Sequence, residues 1–367
     1  MHLFARLICC FAAAQALEAP VADAPEAVLV LEPSKEAPRN SEGDFIRLKD
    51  GRLMLVYTHF TGGGSDHATA HLAARFSSDG GQTWTAEDEL VVSNEGTCNV
   101  MSVSLLRLDR GDIALVYLRK NSDEDCIPYL RVSTDEAATW SEPVRCIPRD
   151  GYFVVNNDRV IQLDTGRLVI PAALHGLPGK GFVRRGIAMC FLSDDGGNTW
   201  RQSVTELEAP EKSASGLQEP GVVALKDGQL MMLCRTDQGC QMRAYSKDGG
   251  ETWSPPELTD ILSPVSPASV ERIPSTGDLL IVWNDHSAIS PELAGKRTPL
   301  TVAVSGDEGS TWKHVKTIED RPDGWYCYTA IEFVDDHIVL AYCAGDKVVG
   351  GLNRLKITRF GVRWLYE

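Results

Sequence analysis

The sequence holds ten cysteines but no C-x-x-C pair, which argues against a structural zinc site. His67 and His71 are four apart, yet there is no H-E-x-x-H motif and the segment leads into a strand-like run. No metal is expected there either. The triple glycine Gly62-Gly63-Gly64 is followed by neither a Gly-Lys-Ser/Thr sequence nor a helix, which excludes a phosphate loop. No cofactor is expected. Basic residues are also short, with 36 Lys and Arg against 51 Asp and Glu, a formal net charge of -15. So acidic a chain is not expected to bind nucleic acid or an anionic membrane. An anionic ligand would need a local cluster of arginines to overcome that field. No run of eighteen uninterrupted apolar residues occurs, so no membrane-spanning helix is expected, and no helical segment stands out.

Met1–Ala16 combines Arg6, the apolar run Leu7–Ala14 and the tripeptide Ala14-Gln15-Ala16. That is the pattern of a secretory signal peptide, so a secreted or periplasmic protein is expected. Its removal takes the net charge from -15 to -16, since Arg6 is its only charged side chain, and leaves eight cysteines. Several of those lie inside apolar strand patterns as buried thiols, although an exported protein can form disulfides. Residues 17–26, rich in Ala, Pro and acid, read as a flexible leader, and residues 27–367 as one repeat-built domain.

What is present is a repeat. The frame S-x-D-x-G-x-T-W occurs at Ser77–Trp84, Ser193–Trp200, Ser246–Trp253 and Ser305–Trp312, with a weaker copy at Ser133–Trp140 where Ala137 replaces the glycine. The frame aspartates 79, 135, 195, 248 and 307 are 56, 60, 53 and 59 residues apart, a period of the order of propeller blades. An aspartate in a tight turn accepts bonds from backbone N–H groups further on, glycine supplies the positive φ, and tryptophan packs between units. The frame is therefore expected to hold the fold and take no part in chemistry.

A second repeat interleaves with the first. Hairpin turns flanked by apolar runs fall at residues 48–51, 108–112, 163–166, 225–228, 273–277 and 334–336. The first five are each followed by a frame; the sixth is followed by the strand-like runs Leu355–Arg359 and Val362–Tyr366. Two hairpins per unit and six units predict an all-β, six-bladed β-propeller of four-stranded antiparallel blades. Val28–Leu31 is expected to add a strand to the last blade and close the ring. The turns and frames then share one face, and the opposite face collects the starts of the innermost strands and the ends of the second strands. Those positions supply Arg39, Asp66, Glu219, Arg235, Arg297 and Tyr328.

With these residues in place, the chain resembles the bacterial exo-α-sialidases (neuraminidases) over nearly all of its length after the leader. The frames are similar to that family's Asp boxes. The resemblance implies a Tyr nucleophile at Tyr328 (with Tyr326 as rival), a Glu that activates it at Glu219, and an acid/base at Asp66. It also implies three arginines for the substrate carboxylate, at Arg39, Arg235 and Arg297. One departure is plain. The family's first arginine stands in Arg-Ile-Pro ahead of the first inner strand, whereas here Arg272-Ile273-Pro274 lies in a turn of the fifth unit, on the frame face. Arg39 comes about two residues early, leaving Arg47 as a possible substitute.

Elementary chemistry agrees with those roles. Three converging guanidinium groups suit a carboxylate-bearing ligand. A phenol avoids the repulsion that a carboxylate nucleophile would meet at an anomeric carbon bearing its own carboxylate, but its pKa of about 10 requires a base in contact. Asp66 would need a raised pKa to give up a proton. The expected activity is retaining removal of terminal sialic acid through a tyrosyl-enzyme intermediate. Alternatives are the same site acting on another acidic sugar (a Kdo-like ulosonic acid or a uronate), or a non-catalytic glycan-binding propeller. The last expects Glu219 and Tyr328 to lie out of hydrogen-bond reach. Asn156, Asn157, Arg159 and His175 fall toward the same face and are expected to shape the glycone pocket.

Overall fold

A computed structural model describes residues 23–367; the expected signal peptide and residues 17–22 of the leader lie outside them. The fold is all-β. Four sheets have four strands each and one has nine. Arg39–Arg47, Leu53–Phe60, Ala70–Ser77 and Glu89–Val92 pair in that order, and the same meander recurs from Gln218–Ala224 to Glu257–Leu262 and from Ser269–Arg272 to Lys313–Glu319. The nine-stranded sheet contains two such meanders, one beginning at Asn99–Arg107 and one at Tyr152–Val154, joined where Tyr152 pairs in parallel with Cys126.

In the last sheet Glu26–Leu31 lies against Leu355–Gly361, so the chain's beginning supplies the outer strand. Asp23, within the expected leader, is fixed too: its carbonyl accepts from Gly361 N, and its carboxylate meets His337 Nε2 at 2.7 Å. Because that outer place is taken, Val362–Tyr366 is a short helix and not the strand its sequence suggests. The helix buries Leu365 and packs Trp364 on Phe360. No helix among the described residues is long and apolar enough to cross a membrane. All eight described cysteines are free thiols, seven of them buried.

The five frames are built alike. Each serine hydroxyl donates to its aspartate at 2.8–2.9 Å, and the same aspartate accepts from the threonine N–H four residues on at 2.8–2.9 Å. Trp200 and Trp253 are buried where one sheet packs on the next. Even the weak copy keeps the pattern, with Ala137 forced to φ 67° where the other frames have glycine. Glu136 and Glu308, inside two frames, clamp Arg107 and Arg272 from the adjoining turns. Frames and turns therefore share one face, and Arg272 is fixed there.

On the other face the innermost strands share an irregularity. Their pairing register breaks at residues 41–44, 101–104, 218–221 and 327–330, and at each break one residue takes a left-handed backbone: Glu42 (φ 52°), Ser102 (57°), Glu219 (45°) and Tyr328 (59°). Asp158 (φ 55°), between the short strands Tyr152–Val154 and Ile161–Gln162 of the third meander, is left-handed too. A bulge of this kind re-aims its side chain out of the strand's alternation.

Candidate active site

Two of those strained residues meet. The Tyr328 hydroxyl donates to Glu219 Oε1 at 3.0 Å, and Arg235 Nη1 donates to Glu219 Oε2 at 2.7 Å. Arg235 faces Glu219 because it ends the second strand of the same sheet, where Gln218 pairs with Arg235. The Arg297 guanidinium lies over the Tyr328 ring, 5.2 Å from its centroid. Asn157 Nδ2 holds the bulge from behind, donating to the carbonyls of Tyr328 at 3.0 Å and Gly43 at 2.8 Å. Tyr326, the rival phenol, packs instead against Tyr342, with ring centroids 6.4 Å apart. The non-catalytic reading required Glu219 and Tyr328 to stand apart; they are in contact.

The electrostatics fit a base beside a phenol. Burial opposes the Glu219 charge, but Arg235 and Arg297 outweigh it and hold the carboxyl below its ordinary range. Burial, reinforced by the Glu219 charge, pushes the Tyr328 phenol well above 10. The resting pair is thus a neutral phenol donating to a carboxylate. Its proton moves only when the phenolate is stabilised, which Arg235 and Arg297 are placed to do.

Arg39 does reach this face, although it comes early in sequence. It is fully buried, with Nη1 2.5 Å from Asp66 Oδ1, Nε donating to Ser41 Oγ at 2.9 Å, and the guanidinium 4.4 Å from the Phe60 centroid. Arg47 is half-exposed and pairs with Asp335 in the turn at 334–336, away from the site. Lys120 Nζ and Asn99 Nδ2 both donate to the Asp66 carbonyl, at 3.0 and 2.9 Å, and so pin the glycine-rich loop. The expectation of a raised pKa at Asp66 is not met. Burial raises it, but Arg39 and Lys120 overcome that and hold the carboxyl below its usual range.

Asp66, Glu219, Arg235 and Tyr328 line one cavity of about 270 Å³, and Arg39 and Arg297 adjoin it through their contacts with Asp66 and Tyr328. Asn156 and His175 line it as expected. Arg159 does not: it bonds the Ala268 carbonyl and Ser269, deeper between the inner strands. There it borders a second cavity of about 250 Å³ that holds no comparable base–nucleophile pair. Sequence reasoning missed Glu42, Lys120, Tyr152 and Phe182 in the first cavity. Lys120 was findable, because it ends a second strand just as Arg235 does. Phe182 was not, since it belongs to the hairpin Leu168–Leu177/Gly181–Ser193, which folds it onto His175 with centroids 5.2 Å apart.

The chain is 27% identical over 257 residues to the anhydrosialidase of Macrobdella decora, covering 63% of this chain and 32% of that protein. It is 29% identical over 189 residues to the sialidase of Vibrio cholerae serotype O1, covering 45% and 23%. The chain thus spans about a third or less of the length of these relatives. The crystal structure of a point mutant of the NanB sialidase of Streptococcus pneumoniae superposes with a TM-score of 0.70 at 14% identity, covering 92% of this chain and 71% of that one. Residues 98–339 match the BNR repeat-like domain, and with two-thirds of its length inside that match the chain belongs to the BNR repeat-like family.

Proposed function

We propose that this chain is an exported, retaining exo-glycosidase of sialidase type that removes terminal sialic acid from glycoconjugates, on a six-bladed propeller in which the nine-stranded sheet counts as two blades. The observation that carries the reading is the Tyr328–Glu219–Arg235 chain of hydrogen bonds at the wall of a cavity. Arg39, Arg235 and Arg297 hold the sugar carboxylate. The Tyr328 oxygen attacks the anomeric carbon while its proton passes to Glu219, and the bond to the leaving oxygen breaks as Asp66 protonates it. Water, giving its proton to Asp66, then attacks the anomeric carbon as the bond to the Tyr328 oxygen breaks and the phenolate recovers its proton from Glu219; two displacements at one carbon give retention. Asp66 can donate only once its carboxyl leaves Arg39, so an incoming carboxylate that takes over the Arg39 guanidinium would raise the Asp66 pKa at the moment the proton is needed.

The N-terminal signal pattern supports export, and the acidic surface supports glycoconjugates over nucleic acid or anionic membranes as partners. A second reading, another acidic sugar on the same machinery, is favoured by one observation: Arg39 is already engaged by Asp66 and Glu42. The test is turnover of a fluorogenic sialoside by wild type and Tyr328→Phe, with glycosides of Kdo and glucuronate in parallel. Hydrolysis of the sialoside, lost in Tyr328→Phe, is expected. Hydrolysis of only another acidic glycoside moves the reading to that sugar, and no turnover of any by folded wild type overturns it.

A further inference from the structure

Glu42, like Glu219 and Tyr328, is aimed into the cavity by a left-handed bulge, and in the same register step. It is buried, and its Oε2 has no hydrogen-bond partner among the described residues. Its nearest cation is Arg39 Nη2, 3.5 Å away, an atom that is itself buried without a hydrogen bond. Arg297 Nη1, Arg235 Nε and Asn156 Nδ2 are likewise buried and unpartnered. A site this well supplied with idle donors is made to receive acceptors, and an acid that accepts nothing stands among them.

We propose that Glu42 is a specificity-determining residue of this site: it takes up one proton as a carboxylate ligand binds against the arginines, and the protonated acid donates a hydrogen bond to that carboxylate. The inference rests on the sialidase-type reading, because it needs an anionic ligand. Ionised, Glu42 would repel that ligand at close range. Neutral, it adds a donor to the set that Arg39, Arg235 and Arg297 already present. The charged and titratable groups that face it are Arg39 on its own strand, Asp66 on the glycine-rich loop, Lys120, Glu219, and the Cys343 thiol. Tyr328 shares the cavity. Burial outweighs Arg39 and raises the Glu42 carboxyl to about 7, so its proton is exchangeable near neutrality, whereas the carboxyl of the ligand stays ionised.

The experiment is calorimetric titration of wild type and Glu42→Gln with N-acetylneuraminic acid, Kdo and glucuronate, in buffers of differing ionisation enthalpy. With a carboxyl near pH 7, wild type takes up about three-quarters of a proton on binding at pH 7.5, and its affinity falls about tenfold between pH 6 and 8. Glu42→Gln, whose amide still donates, binds the same acid with an uptake smaller than wild type's by that three-quarters of a proton and a correspondingly weaker pH dependence, since any uptake at Asp66 on its release from Arg39 is common to both proteins. Binding by wild type without proton uptake overturns the proposal whether or not the variant folds. Equal uptake in both proteins, or a folded Glu42→Gln that binds none of the acids wild type binds, overturns it too. Those outcomes leave the glycosidase reading standing, whereas failure of all three acids to bind wild type at pH 6 removes that reading and this inference with it.

Discussion

Glu219→Gln tests the centre of the site with the least change of shape. The carboxylate accepts from Tyr328 at 3.0 Å and from Arg235 at 2.7 Å. The amide keeps one acceptor and turns a donor toward one of these partners, and it cannot take the phenolic proton. A positioned general base is worth about 10²–10⁴ in rate, or about 3–5 kcal/mol at the transition state. The expected loss in kcat/KM on the sialoside is therefore at least a hundredfold. Folding responds in the same direction, because Arg235 loses its counter-charge. Breaking a fully buried pair costs about 3–5 kcal/mol, and the Arg235 side chain is 16% exposed at the cavity wall, so about 1–3 kcal/mol is expected. Since base and nucleophile act as a unit, the double variant with Tyr328→Phe should be no slower than Tyr328→Phe alone. Steady-state kinetics with thermal unfolding of all four proteins decides. A Glu219→Gln enzyme within tenfold of wild type would refute the assignment of Glu219 as base.

The frames predict a stability effect with a built-in control: Gly197→Ala places a Cβ 2.1 Å from Leu130 Cδ2 at φ 93°, and left-handed strain plus overpacking together cost about 2–4 kcal/mol. Urea unfolding measures this, and a loss below about 0.5 kcal/mol would refute it, since Ala137 shows that the frame itself accepts alanine. The second effect concerns pH: burial pushes Asp44 well above its ordinary range and Glu332 to about 7. A raised carboxyl contributes stability that is complete below its unfolded pKa and lost as pH rises through the folded value. Between pH 5 and 8 the stability these carboxyls contribute should therefore fall, while His59, His71 and His175, whose pKa values burial holds low, act the other way in wild type and variant alike. Relative to wild type, Glu332→Gln should gain about 1–3 kcal/mol over that range, and urea midpoints parallel across it in the two proteins would count against this.

How much of this could be read from sequence depended on whether the determinant is local. The frame is local: serine, aspartate, glycine, threonine and tryptophan satisfy one another within eight residues, so the string reports the structure directly. Glu219, Arg235 and Tyr328 were legible at one remove, because strand ends in a regular meander fix which face a residue occupies. Three features besides Phe182 were not legible. Val362–Tyr366 has a strand-like composition, but its place is filled by a segment more than 300 residues earlier. The state of Asp66 depends on Arg39 and Lys120, from two other strands. Glu42 belongs to a segment searched only for its arginine, and nothing in Ser41-Glu42-Gly43 announces a bulge.

The bulges also explain why frames and site lie on opposite faces. A non-glycine residue in the left-handed region costs about 1–2 kcal/mol, and such a residue persists only where its surroundings over-determine it. Here the restraints come from neighbouring sheets. Thr58 Oγ1 accepts from Ser102 N at 3.1 Å, Asn157 bonds the Tyr328 and Gly43 carbonyls, Ser269 Oγ donates to the Thr329 carbonyl at 2.6 Å, and Asp44 accepts from Leu105 N at 2.7 Å. Each restraint crosses from one sheet to another, so each requires the sheets to be fixed relative to one another. The frames do that from the far side, where Glu136 accepts from Lys49 N and its partner Arg107 donates to the Arg47 carbonyl of the adjacent sheet, and Glu308 and Arg272 bond Lys226 N and the Ala224 carbonyl in the same way. Rigidity on one face thus permits strain on the other, and strain is what turns Glu42, Glu219 and Tyr328 out of their strands toward a common cavity.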